Sequence, residues 1–391
     1  MLRFFEGYRC GNCERDIPGN SIAGECPSCH GPLLGRYDLP LIASSITRDE
    51  FYACGPGIWR FRPLLPPFTR ELSLGEGNTP LLRVERLEKE TGIESLFIKD
   101  ESANPTGSFK ARGMAAAVTR VLDLGAKAAC VPSAGNAGLA LSAYGACAGI
   151  ATKIYIPSVT PDGVAEECRA YGAEVVIVEG ILPDAAKKME EDLEGSDGIV
   201  LSTFREPCRV EGKKTIAYEL EAQLGHKSPD WIIFPTGGGT GIVAIWKAYR
   251  ELEQLGWLKG KRPAMVVVQS SGCAPVVKAF ENGEDIVKPW GSPETIAAGI
   301  RVPGSRADRQ ILEALRDTAG VAVAVEDQEI MRAAGEMTTL TGLFPSPEGA
   351  ATLAGLRSLI RSGTIDRSES VVLVNTAGWS RYRFMIDPFR E

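Results

Sequence analysis

The feature that most limits how this chain can fold is a recurrence of short, unbroken aliphatic runs separated by longer helical patterns. The runs at 96–99, 129–131, 154–156, 175–178, 199–201, 231–234, 265–268 and 371–374 are built mainly from Val, Ile, Leu and Phe, with little polar alternation. A strand with one wet face alternates polar and apolar side chains, whereas a strand covered on both faces does not. Segments 109–124, 138–148, 215–224 and 242–255 read as helices between these runs. The expectation is an α/β protein with parallel sheets covered by helices on both faces. Ligands in such folds bind where strands end and helices begin, so those junctions are where function is to be sought. At 391 residues the chain exceeds what one core ordinarily serves, and more than one domain is expected.

Charge and composition remove several classes of function. A net charge of −7 argues against nucleic acid as a partner, because a phosphate backbone selects a basic face. Residues 128–152 carry no charge, a length that could mimic a membrane span. Pro132, Asn136 and the many Gly, Ala and Ser residues there fit a buried strand, loop and helix better. Glu6 interrupts the opening apolar residues before they could serve as a secretory signal. The expectation is a soluble, cytoplasmic protein with no membrane partner.

Cysteine is distributed unevenly. Cys10-Gly11-Asn12-Cys13 and Cys26-Pro27-Ser28-Cys29 form two C-x2-C knuckles twelve residues apart, while the other cysteines, such as Cys130 and Cys147, are scattered in apolar surroundings. Two knuckles can fold four thiolates around one tetrahedral metal, and zinc suits a closed set of four sulfurs. A redox dithiol would explain one pair but not two. A DNA-reading finger would need more basic residues than this segment holds, and a knuckle that has lost its metal stays open. The scattered cysteines read as core residues in a reducing compartment.

Three loops lie at strand–helix junctions. Asn104-Pro105-Thr106-Gly107-Ser108-Phe109-Lys110 opens a helix with a lysine. The positive end of the helix dipole disfavours a protonated amine there, and a neutral amine is what reacts with a carbonyl. Taken alone, a solvated first-turn lysine explains it as well. Pro132-Ser133-Ala134-Gly135-Asn136-Ala137-Gly138 offers small residues for close approach of a flat ligand, with Ser133 and Asn136 as hydrogen-bonding groups. An ordinary capped turn is its plainer reading. Thr236-Gly237-Gly238-Gly239-Thr240-Gly241 exposes successive backbone N–H groups before a helix, a cradle for one phosphate. It is not a nucleotide P-loop, since no Lys-Ser or Lys-Thr follows, nor a G-x-G-x-x-G, since Ile242 stands at the last glycine. A reactive lysine, a small polar loop and a single-phosphate cradle together make up the parts for binding pyridoxal phosphate (PLP). With His30 and His226 the only histidines, a histidine-based hydrolase is disfavoured.

From about residue 74 to 378 the chain resembles the fold-type II PLP enzymes, and among them the threonine synthases. The resemblance is carried by 104–113, 133–138, 237–241 and 268–275, and by the cysteine ribbon, which is similar to the front end of some threonine synthases. It implies a two-domain fold with PLP in the cleft between domains. The expected division is a zinc-ribbon-like segment at 1–38, a large PLP-binding domain at 39–118 and 208–391, and a small substrate-side domain at 119–207. It further implies Lys110 as the Schiff-base lysine and catalytic residue, with Phe109 beside it and Asn136 at the cofactor's phenolic oxygen. Gly237, Gly238, Gly239, Thr240 and Gly241 would hold the phosphate, and Thr376 would face the pyridine nitrogen. A neutral hydroxyl there cannot keep that nitrogen protonated, which suits elimination at Cβ; a residue merely ending a buried strand is the alternative.

On the substrate side, Ser133, Asn136 and Ala137 would hold the carboxylate and Arg209 the leaving phosphate, unless Arg209 is only a helix-start charge. The implied reaction converts O-phosphohomoserine and water to threonine and phosphate, in a cytoplasmic homodimer. Several positions depart from the family pattern. Ala111 stands where aspartate is usual, Ala134 and Ala137 where hydroxyls are usual, Glu206 near a usual asparagine, and 379–382 end differently. A PLP dehydratase or β-replacing synthase acting on serine, threonine, O-acetyl- or O-phosphoserine therefore remains an alternative, as does a non-catalytic ligand-binding or zinc-ribbon interaction protein.

Overall fold

The computed structural model describes residues 4–53, 55–160, 163–193 and 198–382. The outer ends of the first and last expected segments, 1–3 and 383–391, lie outside the described residues. Three short strands open the chain: β1 (Phe5–Cys10), β2 (Asp16–Ile17) and β3 (Leu33–Tyr37). β4 (Leu81–Arg83) and β5 (Ser95–Asp100) follow, then β6 (Ala128–Pro132), β7 (Ala151–Pro157), β8 (Glu174–Val178) and β9 (Ile199–Val200). The last strands are β10 (Trp231–Pro235), β11 (Ala264–Ser270), β12 (Val321–Val325) and β13 (Ser370–Asn375). The helices that matter for the site are α1 (Lys110–Asp123), α2 (Asn136–Ala148), α3 (Cys208–Gln223) and α4 (Thr240–Gln254).

The chain divides into two compact units. One holds the residues up to Asn78, Asn104–Ile216 and Gln254–Trp257; the other holds Thr79–Ala103, Ala217–Glu253 and the residues from Leu258 on. In the first unit β6 to β9 form an all-parallel sheet in the order β8-β7-β6-β9. The uncharged stretch forms β6, a turn, α2 and the start of β7, as its composition implies. No helix among the described residues is long and apolar enough to cross a membrane. The ribbon folds as an antiparallel sheet of its own, β2-β1-β3, within the same unit.

The second unit is built on a six-stranded sheet, β12-β11-β10-β13-β5-β4, parallel except where β4 pairs with β5. Every residue of β10 is buried, and Ile98, Ile233, Val266 and Leu373 meet in one core cluster. Continuous aliphatic runs are what a sheet covered on both faces requires. β12 is absent from the series of runs expected from sequence. Its Val-Ala-Val-Ala-Val alternates small with branched side chains and is half-exposed at a sheet edge, so it lacks the bulk that marks the other strands.

One buried charge pair of this unit has a measurable consequence. Lys99 Nζ lies 2.8 Å from Glu219 Oε2, both side chains fully buried, and it also donates to the Thr79 carbonyl and the Gln223 amide oxygen at 2.9 Å each. Removing one partner leaves a buried ion without its counterion, whereas replacing both with apolar groups removes the desolvation cost too. Glu219→Ala is expected to destabilise the fold by about 3–5 kcal/mol, and Lys99→Met/Glu219→Leu to recover most of that. Urea unfolding of the single and double variants measures it; equal losses in both would contradict the assignment.

Candidate active site

The lysine loop leaves β5 and turns sharply before α1. Thr106 takes the left-handed conformation (φ 57°), which costs a β-branched residue energy and is tolerated where the surroundings impose it. Asn104 anchors the turn by accepting the Gly77 N–H at 3.0 Å. Lys110 is the first residue of α1, half-buried, with Nζ 4.1 Å from the centroid of the Phe109 ring. The hydroxyl oxygens of Thr106 and Ser108 are buried and have no hydrogen-bond partner. Two orphaned hydroxyls within four residues of a lysine at a helix start mark a loop built to receive a polar ligand.

The second loop follows β6. Ser133 Oγ accepts the N–H of Gly138 at 2.9 Å and of Gly135 at 3.2 Å, so this hydroxyl shapes the entry to α2. Asn136 is the first residue of α2, and Ala134 and Ala137 are half-buried beside it. Gly138 is required by packing: a Cβ there would stand 2.8 Å from Ile154 Cγ2.

The start of α3 carries the substrate-side candidates. This helix begins seven residues before the 215–224 expected from sequence. Arg209, Glu211, Lys213 and Lys214 are all buried polar residues in its first turns, and they erase the apolar period that would have marked them as helix. Glu206 closes the helix end, accepting the Arg209 N–H at 2.8 Å through Oε2. Its Oε1 pairs with Arg120 at 3.1 Å, so this acid is engaged by a cation of its own. Arg209 is 2 % exposed; one amine donates to the Leu201 carbonyl at 2.6 Å, and its Nε is buried with no partner. Burial lowers its pKa to about 10.

Lys213, fully buried, lies 5.6 Å from the Phe109 ring centroid, the ring that Lys110 also faces. Its pKa is pushed well below the ordinary lysine value by burial first, then by the charges of Arg209 and Lys110. Lys214, one residue on, pairs with Glu211 at 2.7 Å instead. α1 and α3 touch at glycines, since a Cβ on Gly212 would stand 2.1 Å from the Arg112 carbonyl and one on Gly113 2.8 Å from that of Arg209. Lys110, Phe109, Arg209 and Lys213 thus belong to one packed substructure of the first unit.

In the second unit β10 runs into the glycine loop and then α4. The glycines are there for separate reasons. A Cβ on Gly237 would meet the Gly299 carbonyl at 2.9 Å, and one on Gly241 the Phe234 ring at 2.2 Å; Gly239 has φ 82°. Gln269 braces the loop by donating to the Thr236 carbonyl at 3.1 Å while accepting from Val276 and Val277. Sequence reading reached the stretch around Gln269 but not this role, because its partner in the loop, Thr236, lies 33 residues away. Backbone N–H groups of a tight glycine turn at the start of a fifteen-residue helix are suited to an anion. Thr376, 5 % exposed, directly follows β13.

The four ribbon cysteines converge as their spacing requires. The sulfurs of Cys10, Cys13, Cys26 and Cys29 all lie within 4.8 Å of one another, and none is in a disulfide. The Asn12 and Cys13 N–H groups point at Cys10 Sγ at 3.4 and 3.5 Å. His30 stands apart, its Nδ1 3.0 Å from Glu25.

Comparison with known proteins agrees with these features. Residues 72–377 match the family described as pyridoxal-phosphate dependent enzyme. The chain is 36% identical over 369 residues to the threonine synthase of Methanosarcina acetivorans, covering 94% of this chain and 90% of that one. It is 37% identical over 371 residues to the threonine synthase of Methanocaldococcus jannaschii, covering 94% and 91%. Among solved structures it is similar in fold to a fungal L-serine ammonia-lyase from Rhizomucor miehei, with TM-score 0.69 and 24% identity over 82% of this chain and 99% of that one. A maize serine racemase gives TM-score 0.68 at 20% identity, over 81% and 94%.

Proposed function

Because this chain belongs to the pyridoxal-phosphate-dependent enzymes, and among them to the threonine synthases, we propose that it converts O-phosphohomoserine and water to threonine and phosphate. The observation that carries the phosphorylated substrate is Arg209, a buried guanidinium whose Nε has no partner, packed with the buried Lys213. Glu206 supports the same reading. Its carboxylate is held by Arg120 and the helix start, so it does not stand as a free repelling charge.

The residues fit the cofactor. Successive glycines and the dipole of α4 suit its phosphate at Gly237, Gly238, Gly239, Thr240 and Gly241; Asn136 would bind its phenolic oxygen and Thr376 its ring nitrogen. Lys110 would hold it through its amine, with the Phe109 ring alongside. When bound, PLP supplies an electron sink for charge developing at substrate carbons. Lys110, at the positive end of α1, takes the proton from substrate Cα and returns one. Ser133 and Ala137, with Asn136, lie where they would orient the substrate carboxylate. Arg209 and Lys213 stabilise the phosphate as its bond to Cγ breaks. In the balance of the reaction, the Cγ–O bond breaks and phosphate leaves with its electron pair, Cβ gives up one proton and gains the hydroxyl of water, and Cγ gains a proton and becomes methyl. Thr376, a neutral hydroxyl, would not hold the ring nitrogen protonated as a carboxylate would, which suits elimination at Cβ.

The deciding experiment is a substrate panel on purified PLP-loaded enzyme, following phosphate, ammonia and amino-acid products. Turnover of O-phosphohomoserine to threonine supports the proposal. Its absence, with activity on serine, threonine or O-acetylserine, transfers the chain to a dehydratase or β-replacing reading. A cytoplasmic homodimer belongs to the same proposal, and sedimentation of the holoenzyme tests the stoichiometry.

The four ribbon thiols fit a closed, structural zinc site. We expect one zinc per chain by metal analysis, and chelation should loosen the ribbon while PLP stays bound. A metal-free preparation with a disulfide between two of these cysteines would overturn it.

A further inference from the structure

The start of α3 is held from two sides. On one side it meets α1 at Gly113 and Gly212, where Arg112 also donates to Thr215 at 3.0 Å. On the other side it meets the ribbon, and this second contact has no part in the chemistry above. Glu211, fully buried, accepts the Gly35 N–H at 2.9 Å and the Tyr37 hydroxyl at 2.8 Å, both from β3, while pairing with Lys214. Tyr8 of β1 reaches Cys208 Sγ at 3.4 Å. Arg120 donates to the ribbon carbonyls of Ser21 and Ala23 at 2.7 and 3.1 Å, and its other amine holds Glu206. Glu206 in turn holds the N–H of Arg209. An unbroken series of hydrogen bonds therefore runs from ribbon backbone to the residue proposed to bind substrate phosphate.

Two physical arguments separate this contact from simple packing. Burying Glu211, Arg120 and Glu206 is costly, and an apolar interface would stabilise the fold as well or better, so what the polar set contributes is a defined geometry. The ribbon also approaches with no slack: a Cβ on Gly35 would stand 2.8 Å from the Glu211 carboxylate, and one on Gly24 2.0 Å from the Arg205 carbonyl. A shift of the ribbon is thus transmitted to α3 rather than absorbed between them.

We propose that Arg120, Glu211 and Tyr37 are positioning residues through which the four-cysteine ribbon sets Arg209 and Lys213, so that the state of the ribbon controls affinity for the substrate's phosphate group. The proposal rests on the anion role given to Arg209 above. Couplings between sites of this kind change affinity by about 5- to 150-fold.

The test uses full-length, PLP-loaded enzyme and inorganic phosphate as the probe, its binding followed by the change in the cofactor's visible band. Tyr37→Phe, which removes one hydroxyl, and Arg120→Lys, which keeps the charge but not the fork, should each weaken phosphate binding by about tenfold and raise KM for O-phosphohomoserine in parallel. Cofactor content should stay at the parent's level. Chelating the ribbon metal in the parent should weaken phosphate to a similar degree. Ile330→Ala, which opens a cavity in the core of the other unit and lies off α3, should leave phosphate affinity within about twofold, which separates positioning from general loss of stability. Phosphate affinity unchanged in folded Tyr37→Phe and Arg120→Lys overturns the coupling while leaving the function in place. A parent that binds no phosphate, yet turns over an unphosphorylated amino acid, overturns the anion role of Arg209 and this proposal with it.

Discussion

Lys110→Ala is expected to lower turnover by about 10⁴-fold or more and to remove the covalent attachment of the cofactor. The size follows from the two tasks assigned to one amine, holding PLP and moving the Cα proton, and from the absence of an equivalent group. Lys213 is buried beside the same Phe109 ring, but it extends from α3, on the other side of the contact through Gly113 and Gly212. Lys110→Arg is the informative companion, because it keeps the cation over Phe109 yet cannot bond covalently to an aldehyde. Both variants should still bind PLP reversibly, since the substitutions leave unchanged the glycine loop and Thr376, the other groups proposed to hold it. The measurement is borohydride reduction of the wild type and peptide mapping of the pyridoxyl group. Finding it on any lysine other than Lys110 would refute the assignment.

The second large effect is expected at Arg209. Truncating one partner of a buried, hydrogen-bonded charge pair ordinarily costs about 2–5 kcal/mol, which at about 1.4 kcal/mol per decade is roughly 30- to 4,000-fold in kcat/KM. Arg209→Gln should lose that much with O-phosphohomoserine, while weak turnover of an unphosphorylated analogue changes little. The pH dependence has a defined sign. Burial holds the Arg209 pKa at about 10, so phosphate affinity should fall as pH rises through about 10 rather than persisting to the ordinary arginine range. Lys213, depressed by burial and by the neighbouring Arg209 and Lys110 charges, should begin that decline at a pH below the ordinary lysine value. Glu206→Asn, which removes the acid, should not improve phosphate binding here. It would leave Arg120 buried beside a neutral amide, and the loss should appear as reduced stability. A phosphate affinity that is flat to high pH, together with a benign Arg209→Gln, would remove Arg209 from the site.

Much of this was legible without coordinates because its cause is local. The C-x2-C knuckles converge because two residues between cysteines let both sulfurs reach one point, and the structure brings all four within 4.8 Å. The glycine loop could be read because glycine is the residue that meets a positive φ at 239 and a carbonyl against 237. The buried strands could be read because a strand covered on both faces has no room for alternation. β12 could not, since its alternating alanines at a sheet edge carry too little of that signal.

What the sequence by itself determined about this protein is its class: covered parallel sheets, a lysine at a helix start, a glycine turn before a helix and a four-thiol knuckle. Each follows from residues within a few positions of one another, where backbone geometry and spacing act directly. Only the tertiary structure decided which charges oppose which. Lys213 joins Lys110 at Phe109 while Lys214 turns to Glu211, because neighbouring helical residues point in directions about 100° apart and each finds a different wall. Glu206 is neutralised by Arg120 and Glu211 by Lys214, and Glu211 also accepts hydrogen bonds from Gly35 and Tyr37 of the ribbon, more than 170 residues away along the chain. A buried charge takes its meaning from the partner that compensates it, and that partner is chosen by packing, which no local spacing encodes.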